Sequence, residues 1–396
     1  MNRREYDVVE ICSDLVKIRS ENPPGYTDDI ISYIKDFCDK IGHNTKVVSL
    51  DRRHNLISAK PQGRLLLCGH VDVVPALDEG WTYPPYEGVI ADDCVHGRGT
   101  TDMKGGCAAL LSALAHVIDD QGDPGADVAF VADEEGKGLF GMEQLIEEDI
   151  LHPVDTLIAE PTPAGCPLIG EKGILRTHIV FSGDAGHAAL HPVCGNSAII
   201  QACKFITACQ NFHEREWPMD SQSHDAITVT SAALEKIIGL SADDASRILS
   251  RIMYNPGKIS GGERVNVIAQ RCELDMDMRI PWGCSISGII QEMRDTAPGA
   301  DISVIESAEP SFSTPGWLCG LVCEGIEAIR QDGPIRPGVT QAATDARYLR
   351  ERGAEVVVYG PGDLNLLHSV NEKVTISMLR EAEQVYTHIL SNLGSR

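Results

Sequence analysis

Histidine and carboxylate side chains follow short apolar runs at several places in this sequence, and these side chains are best suited to chemistry. At the first place, residues 65–68 are three leucines and a cysteine, and His70 and Asp72 come shortly after them. Side chains two apart on an extended chain point the same way, so both can face one pocket. A histidine beside a carboxylate is typical of a metal ligand and its partner. Alone, the pair is equally compatible with a strand end that carries two solvated polar residues.

Three further apolar runs have the same form. They occupy residues 127–132, 154–159 and 356–359, and the polar side chains that follow them are Glu134, Glu135, Glu160 and His368. By itself, the acidic triplet 133–135 is more typical of a surface turn, because neighbouring carboxylates repel one another unless a cation compensates them. Ligands of open α/β sheets bind outside the carboxyl ends of the strands. We therefore expect these side chains to meet in one cleft.

A glycine-rich stretch at residues 97–106 carries a single acid, Asp102. Glycine lets the backbone turn sharply and approach a ligand closely. One interpretation is a loop that caps a helix predicted at residues 107–118, with Asp102 near the positive end of the helix dipole. The other interpretation is a loop that holds a carboxylate between two cations.

The collected side chains suit a pair of zinc ions. Imidazole nitrogens and carboxylate oxygens are typical zinc ligands, and two ions that share a bridging carboxylate lie about 3.5–4 Å apart. The cations would offset the repulsion among the acids, and a water held between them becomes a nucleophile near neutral pH. One acid should stay off the metals as general base. The adjacent residues Glu134 and Glu135 offer one side chain for each role, because neighbouring side chains diverge.

Composition and charge argue against several classes of protein. The formal net charge of −24 argues against a nucleic-acid partner. The 396 residues suffice for two domains, and no apolar stretch is long enough to span a membrane. Residues 1–20 predict an amphipathic helix rather than a signal peptide. Thirteen dispersed cysteines without a CxxC pair favour reduced thiols and a cytoplasmic location.

The alternation of helices and strands predicts an α/β fold with an insertion. Helices are predicted at residues 27–41, 107–118, 318–329 and 375–393, with two further strands at 45–50 and 55–59. The insertion is predicted as a compact α+β unit. Its strands are predicted at 174–181, 272–279 and 301–305, and its helices at 196–210 and 287–294. An added helix at 241–253 begins with a capping-box pattern. Residues 1–173 and 309–396 would then form one domain, whose mixed, mostly parallel sheet is flanked by helices, and residues 174–308 the insertion.

Taken in order, the motifs resemble those of the dinuclear zinc aminoacylase/carboxypeptidase family, which includes acetylornithine deacetylase, succinyl-diaminopimelate desuccinylase, aminoacylase and glutamate carboxypeptidase. The matching segments are residues 69–72, 97–106, 133–135, 160–161, 187–192, 261–267, 277–279 and 368–372. They run through nearly the whole chain, and as a set they are highly specific. The resemblance implies a zinc-exopeptidase-like catalytic domain, with residues 174–308 as a ferredoxin-like lid and dimerisation domain.

The resemblance also implies a role for each residue of the expected metal centre. His70 and Glu160 would hold one zinc ion, and Glu135 and His368 would hold the other. Asp102 would bridge both ions from a loop with a cis peptide after the aspartate. Glu134 would be the general base, and Asp72 would be the partner of His70. The ions would be two Zn²⁺ per subunit, with cobalt as an alternative.

Three substrate-facing roles come from the resemblance alone. His187 would reach across a homodimer to polarise the scissile carbonyl in the partner's active site. Arg279 would bind the α-carboxylate of the substrate, with Asn266 nearby. From the residues themselves, His187 is more typical of a structural histidine, and Arg279 could simply pair with Asp277 or Glu273.

The expected activity is hydrolysis of an N-acyl amino acid, with acetyl or succinyl as the acyl group. A zinc carboxypeptidase or dipeptidase that acts on short peptides is the alternative within the same fold. A binding or scaffold protein without chemistry is disfavoured, because such a protein should have lost ligands and all of them are present. Departures from the family pattern at residues 341–347 and 266–269, and a lengthened lid around 225–254, affect the expected specificity and leave the zinc residues untouched.

Overall fold

A computed structural model describes residues 6–61, 63–77, 79–136 and 138–395. The predicted N-terminal helix is present as α1, and residues 1–5 of that prediction lie outside the described residues. The helices are α1 Val8–Lys17, α2 Asp28–Lys40, α3 Lys104–Gln121, α4 Met142–Glu147, α5 Ala198–Glu214, α6 Ser221–Ile238, α7 Ala242–Ser250, α8 Ile286–Thr296, α9 Trp317–Arg330, α10 Ala346–Arg350 and α11 Ile376–Asn392. The strands are β1 Thr45–Leu50, β2 Arg53–Ser58, β3 Leu66–His70, β4 Val89–Ala91, β5 Cys94–His96, β6 Asp127–Val131, β7 Thr156–Ile158, β8 Leu168–Glu171, β9 Gly173–Ser182, β10 Met253–Gly261, β11 Arg271–Ile280, β12 Asp301–Ala308, β13 Ser311–Phe312, β14 Gly338–Thr340, β15 Val356–Val358 and β16 Lys373–Thr375.

The largest sheet has nine strands, and its centre is formed by the four apolar runs predicted from the sequence. Its order is β1-β2-β6-β3-β7-β15-β8-β13, with β14 paired to β8. The central neighbours β6, β3, β7 and β15 are parallel, whereas β1, β2, β8 and β13 join through antiparallel pairs. The parallel strands are buried on both faces, which is why they appear in the sequence as continuous apolar runs.

Helices cover both faces of this sheet. On one face α1, α2, α3, α9 and α11 enclose the largest apolar core, and on the other α4 and α10 pack over a second one. Helix α3 begins at Lys104, earlier than predicted, and includes Gly105 and Gly106. A Cβ at Gly106 would lie 2.0 Å from the carbonyl oxygen of Ala159. Glycine has a low helix propensity, and it is present here because α3 passes directly against the end of β7.

A separate antiparallel sheet contains four strands in the order β10-β11-β9-β12. With α5 and α8 it has the chain order β-α-β-β-α-β, the predicted ferredoxin-like arrangement. Its own core includes Ile179, Phe205, Met278 and Ile289. The neighbouring strands in the chain, β8 and β13, belong to the nine-stranded sheet. This arrangement supports the proposed boundaries at residues 173 and 309.

The prediction between α5 and β11 was incomplete. Helix α6 was not predicted; α7 begins after the expected cap at Ser241, which accepts from the backbone N–H of Asp244, but it ends before strand β10. The run Thr228, Val229, Thr230 has low helix propensity, yet α6 forms because its apolar face packs against α7 and β14.

A small sheet of β16, β5 and β4 completes the architecture. The antiparallel pairing of β5 with β16 places the glycine-rich loop after His96 beside the segment that ends at Glu372. Two predicted metal-ligand loops, distant in sequence, are therefore neighbours. Among the described residues, each helix is too short or too polar to cross a lipid bilayer.

Candidate metal centre and active site

Four of the five predicted metal ligands line one cleft at the carboxyl ends of the parallel strands, and the fifth, His70, contacts two of them. The cleft has a volume of about 700 Å³, and its lining includes Asp102, Glu134, Glu135, Glu160 and His368. Strand β3 ends at His70, while the acids after β6 and β7 emerge beside it. Adjacent parallel strands end at the same edge of a sheet, and this common edge explains why side chains so distant in sequence converge.

Asp102 faces both histidines, one with each carboxylate oxygen. Its Oδ1 lies 2.9 Å from Nε2 of His70, and its Oδ2 lies 3.2 Å from Nε2 of His368. The peptide between Asp102 and Met103 is cis, as the resemblance implied. A carboxylate in this position can bridge two cations, each bound also by one imidazole.

The remaining acids flank the two histidines. An Oε1 atom of Glu160 lies 3.3 Å from Nε2 of His70, and Oε1 of Glu135 lies 3.2 Å from Nε2 of His368. Two sets of possible ligands each have their ligand atoms within 4.8 Å of one another: His70, Asp102 and Glu135, and His70, Glu134 and Glu160. Imidazole and carboxylate donors at this spacing fit zinc.

The protonation equilibria of this cluster also fit bound cations. Burial raises the pKa of Glu160 to about 8, and Asp102 adds to the effect. Burial likewise raises the pKa of Glu134, with contributions from Glu160 and Asp345. Without a cation these carboxyls hold protons because their charged forms are poorly solvated and repel one another. Divalent ions reverse this preference by supplying the missing positive charge.

His70, His368 and Asp102 differ from the other acids, because their charged forms are favoured. Burial disfavours the charged form of Asp102, but hydrogen bonds with His368 and His70 hold its pKa below the usual range. Hydrogen bonds to Asp102 and Glu135 raise the pKa of His368 to about 10. In each pair the proton between the imidazole nitrogen and the carboxylate oxygen supplies the positive charge that a metal ion bound by both groups would supply instead.

Asp72 acts differently from a simple partner of His70. The Nδ1 atom of His70 lies 2.9 Å from the main-chain oxygen of Asp72 and 3.6 Å from its carboxylate. The carboxylate instead accepts hydrogen bonds from the backbone N–H groups of Glu134 and Glu135 and from the side chain of Asn22. Asp72 therefore orients both the histidine ring and the two adjacent glutamates.

Glu372 organises the loop that carries Asp102, a role that the sequence did not indicate. Its buried carboxylate accepts hydrogen bonds from the backbone N–H groups of Gly99, Thr101 and Asp102 and pairs with Arg98 at 2.5 Å. The Arg98 guanidinium also donates to the main-chain oxygen of His368. These contacts connect the two ligand loops. In the sequence Glu372 was included only as part of the matching segment 368–372, and its partners are too distant along the chain to be recognised.

Asp345 is an acid of the cleft lining that the sequence analysis left without a role. It is buried on the cleft wall, and burial raises its pKa to about 7, partly offset by Arg347. The same charge contributes to the raised pKa of Glu134. Asp345 lies in the segment 341–347 that departs from the family pattern.

The three expected substrate residues lie in two places. Arg279 lines the cleft with the metal-ligand candidates, and its Nε donates to Asp277 at 2.9 Å, which is one of the two pairings considered from the sequence. His187 and Asn266 are exposed and lie outside the cleft lining. They neighbour each other, since Ala188 donates its N–H to the main-chain oxygen of Asn266. Within one subunit they are not brought to the metal centre.

Comparisons with known proteins agree with this geometry. Residues 66–392 match Peptidase family M20/M25/M40. The chain is 28% identical over 387 residues to a succinyl-diaminopimelate desuccinylase of Blochmanniella pennsylvanica, covering 91% of each sequence. It is 29% identical over 391 residues to a probable succinyl-diaminopimelate desuccinylase of Staphylococcus aureus, covering 94% of each.

Solved structures share the fold. An M20 family metallo-carboxypeptidase from Sulfolobus solfataricus superposes with a TM-score of 0.79 and 17% identity, covering 100% of both chains. A Bacillus subtilis protein described as a dinuclear metal binding peptidase superposes with a TM-score of 0.67 and 13% identity, covering 98% of both chains.

Proposed function

Because this chain belongs to Peptidase family M20/M25/M40, we propose that it is a dinuclear metal amidohydrolase that removes an acyl group, acetyl or succinyl, from the nitrogen of an α-amino acid. The predicted family and fold class are confirmed, and the chain is a hydrolase. The observation that supports the proposal most directly is the position of Asp102, whose two oxygens face His70 and His368 separately. Desuccinylases among the relatives support the substrate class.

We assign the ligands as the sequence predicted: His70 and Glu160 for one ion, Glu135 and His368 for the other, and Asp102 between them. Two Zn²⁺ ions would supply Lewis acidity to the amide carbonyl and lower the pKa of a bound water; cobalt has the same donor preferences here.

Glu134 is assigned as the general base. Its neighbour Glu135 contacts His368, and Glu160 contacts His70, so these two acids are engaged by the histidines. The N–H of Glu134 is held by Asp72, which fixes where its side chain enters the cleft. Glu134 would take a proton from the attacking water and return it to the leaving nitrogen, as a single positioned carboxylate can do.

Arg279 is assigned to the substrate carboxylate. Its guanidinium lines the cleft and uses Nε and one terminal nitrogen for Asp277. A guanidinium carries five N–H donors in a rigid fork, so donors remain for a second carboxylate. This assignment favours substrates with a free α-carboxylate, which both N-acyl amino acids and peptides possess.

A substrate panel tests the proposed function. N-acetyl and N-succinyl amino acids should be hydrolysed faster than dipeptides that bear the same C-terminal residue, and chelation of the metals should abolish hydrolysis of all of them. Readdition of Zn²⁺ or Co²⁺ should restore it. A carboxypeptidase or dipeptidase would show the reverse order of rates, and a chain that hydrolyses neither series would overturn the proposal.

Residues 174–308 are proposed to form a lid and dimerisation domain, with His187 completing the partner's site. The exposed apolar side chains Leu190, Val193, Ile199 and Val265 surround His187 and Asn266 in the sequence, and such exposure is typical of a surface that another protein covers. A C₂ dimer would present this surface twice. The thirteen free thiols, all in the described part of the chain, support a reducing compartment, for which we propose the cytoplasm.

Mixed dimers test whether His187 acts across the interface. His187→Ala and Glu134→Ala proteins should each be nearly inactive. Coexpression with two affinity tags should give mixed dimers in which one of the two sites is intact, and a random mixture should recover about a quarter of wild-type kcat. Absence of recovery in purified mixed dimers would place His187 in its own subunit's site, and a fully active His187→Ala protein would place it outside catalysis.

A further inference from the structure

Helix α6 contributes one wall of the cleft. Thr230, Leu234 and Ile238 all line it, and their spacing of four places them along one face of the helix. The helix lies in the chain between α5 and β10 of the four-stranded sheet, yet it packs against β14 at the edge of the nine-stranded sheet. A segment from the insertion thus packs on the nine-stranded sheet and lines the same cleft as the metal-ligand candidates.

Close contacts hold α6 on the edge strand. Thr230 Oγ1 donates to the main-chain oxygen of Val339 and accepts from its N–H, both at 2.8 Å. A Cβ at Gly338 would lie 2.3 Å from Thr230 Oγ1, so this approach requires glycine. Leu234 and Val339 are buried in one apolar cluster with Trp282. The wall is therefore formed before substrate arrives.

Helix α7 reinforces this position. The ammonium group of Lys172, which is fully buried, donates to the main-chain oxygens of Ile248 and Arg251 at 2.8 and 2.5 Å. These carbonyls are at the C-terminal end of α7, where backbone oxygens lack intrahelical donors. Lys172 lies between β8 and β9, so the contact joins α7 to the connection between the two sheets.

The C-terminal end of α6 reaches the segment that precedes His368. Asn365 Nδ2 donates to the main-chain oxygen of Ile237 at 3.4 Å. Leu364 and Leu367 of this segment line the same cleft as Leu234 and Ile238. We call these four side chains the α6 wall. It consists of aliphatic groups only, and it adjoins the candidate metal ligand His368.

The part of the cleft lining that the four-stranded sheet contributes is mostly charged, in contrast to the aliphatic α6 wall. Arg176 pairs with Asp277 and Glu306, and Arg279 pairs with Asp277. Of the four residues that this sheet contributes to the lining, Arg176, Arg279 and Glu306 are charged, and Ile174 is aliphatic. The cleft thus has a charged lining suited to a carboxylate and an aliphatic lining suited to an apolar chain.

We propose that the α6 wall binds an aliphatic chain of the substrate, either in the acyl group or in the amino-acid side chain. This inference rests on the proposed function and narrows its substrate class. Removal of an apolar chain from water against the wall is favourable, whereas a second carboxylate placed there, as in a succinyl group, would be desolvated without a partner. The enzyme therefore prefers aliphatic N-acyl amino acids to N-succinyl ones.

The test compares four substrates with the zinc-loaded protein: N-acetylglycine, N-acetyl-L-leucine, N-hexanoylglycine and N-succinylglycine. Wild-type kcat/KM should exceed that for N-acetylglycine by about 10-fold or more for at least one aliphatic substrate. Preference for N-acetyl-L-leucine would place the amino-acid side chain on the wall, and preference for N-hexanoylglycine would place the acyl chain there.

The variant Ile238→Arg should remove this preference. Ile238 is 43% exposed, so the protein should fold, which a thermal melt checks. We expect kcat/KM for the preferred aliphatic substrate to fall about 10-fold, little change for N-acetylglycine, and a rise for N-succinylglycine. Ile238→Leu should keep the wild-type ratios. Ala232→Arg, on the exposed outer side of α6, is the matched control and should also keep them.

The outcomes separate the two proposals. Hydrolysis of N-acetylglycine with equal rates for aliphatic and succinyl substrates, or a ratio unchanged by Ile238→Arg, would overturn the α6 wall and leave the amidohydrolase intact. A zinc-loaded wild-type protein inactive on all four substrates would overturn the amidohydrolase and the wall together.

Discussion

Glu134→Ala is expected to lower kcat by about 10²–10⁴-fold while the protein still binds two metal ions per chain. The reason is that Glu134 would move protons, whereas the histidines and the other acids hold the ions. Metal analysis of the purified variant, together with kcat and KM on an N-acetyl amino acid, measures both parts. KM should change little, because substrate binding would depend on Arg279 and the cleft walls.

The adjacent residue is the natural control for this experiment. Glu135→Ala removes a carboxylate that contacts His368, so we expect that variant to lose one ion as well as activity. Glu134 lies within ligand distance of His70 and Glu160, and loss of an ion in Glu134→Ala would make it a ligand and contradict the assignment. Glu134→Gln should match Glu134→Ala in rate, because an amide cannot accept the proton.

Metal-free protein is expected to lose stability as the pH rises from 5.5 to 8, with a fall in Tm on the order of 5–10 °C. Burial raises the pKa of Glu160 from 4.5 to about 8, and Glu134 shifts in the same direction. A carboxyl with a raised pKa in the folded state stabilises fully below its unfolded pKa, and this contribution is lost as the pH rises through the folded value. Scanning calorimetry in chelator at several pH values measures the fall.

The histidines change stability in the same direction. Hydrogen bonds to Asp102 and Glu135 raise the pKa of His368 from 6.5 to about 10, so its contribution is present below pH 6.5 and is lost towards pH 10. Asp102, with a lowered pKa, acts in the opposite sense, but its contribution is lost only as the pH falls below about 4. The stability of metal-free protein should therefore fall as the pH rises from 5.5 to 8.

Bound zinc should remove the fall of Tm with rising pH that we expect for metal-free protein. Metal binding requires deprotonated ligands, so affinity rises with pH, and the Tm difference between zinc-loaded and metal-free protein should widen from pH 5.5 to 8. Metal-free Glu160→Gln should show a shallower pH dependence, because the amide does not titrate. A metal-free Tm that rises over this range would contradict the view that the raised pKa values of the buried carboxyls dominate the pH dependence of stability.

Several sequence predictions depended on local signals and agree with the structure. The four apolar runs are the parallel strands β3, β6, β7 and β15, because a strand buried on both faces must be apolar throughout. Helices with a clear apolar period, such as α2 and α11, are present close to their predicted ends. A ligand after each run indicated one cleft, and the side chains of His70, Asp102 and His368 are in contact there.

Other features depend on partners distant in sequence and were missed for that reason. Glu372 is recognisable as an organiser of the metal centre only when its hydrogen bonds to residues 99–102 are seen. Asp72 was expected as the partner of His70, and its carboxylate lies 3.6 Å from Nδ1 of that ring; its hydrogen bonds with the N–H groups of Glu134 and Glu135 were not foreseen. Local spacing does not determine which of several nearby donors an acid accepts from.

By itself, the sequence determined which side chains are available for chemistry, the strand ends from which they emerge, and the family to which the chain belongs. The tertiary structure alone decided how the cleft is walled. Helix α6 has a weak helical signal and is stabilised by burial against β14, a contact between residues such as Thr230 and Val339 that are far apart in the chain. The spacing of apolar residues indicates that one face of a helix is buried, but it does not indicate which element covers that face. The placement of α6 beside His368 could therefore be learned only from the tertiary structure.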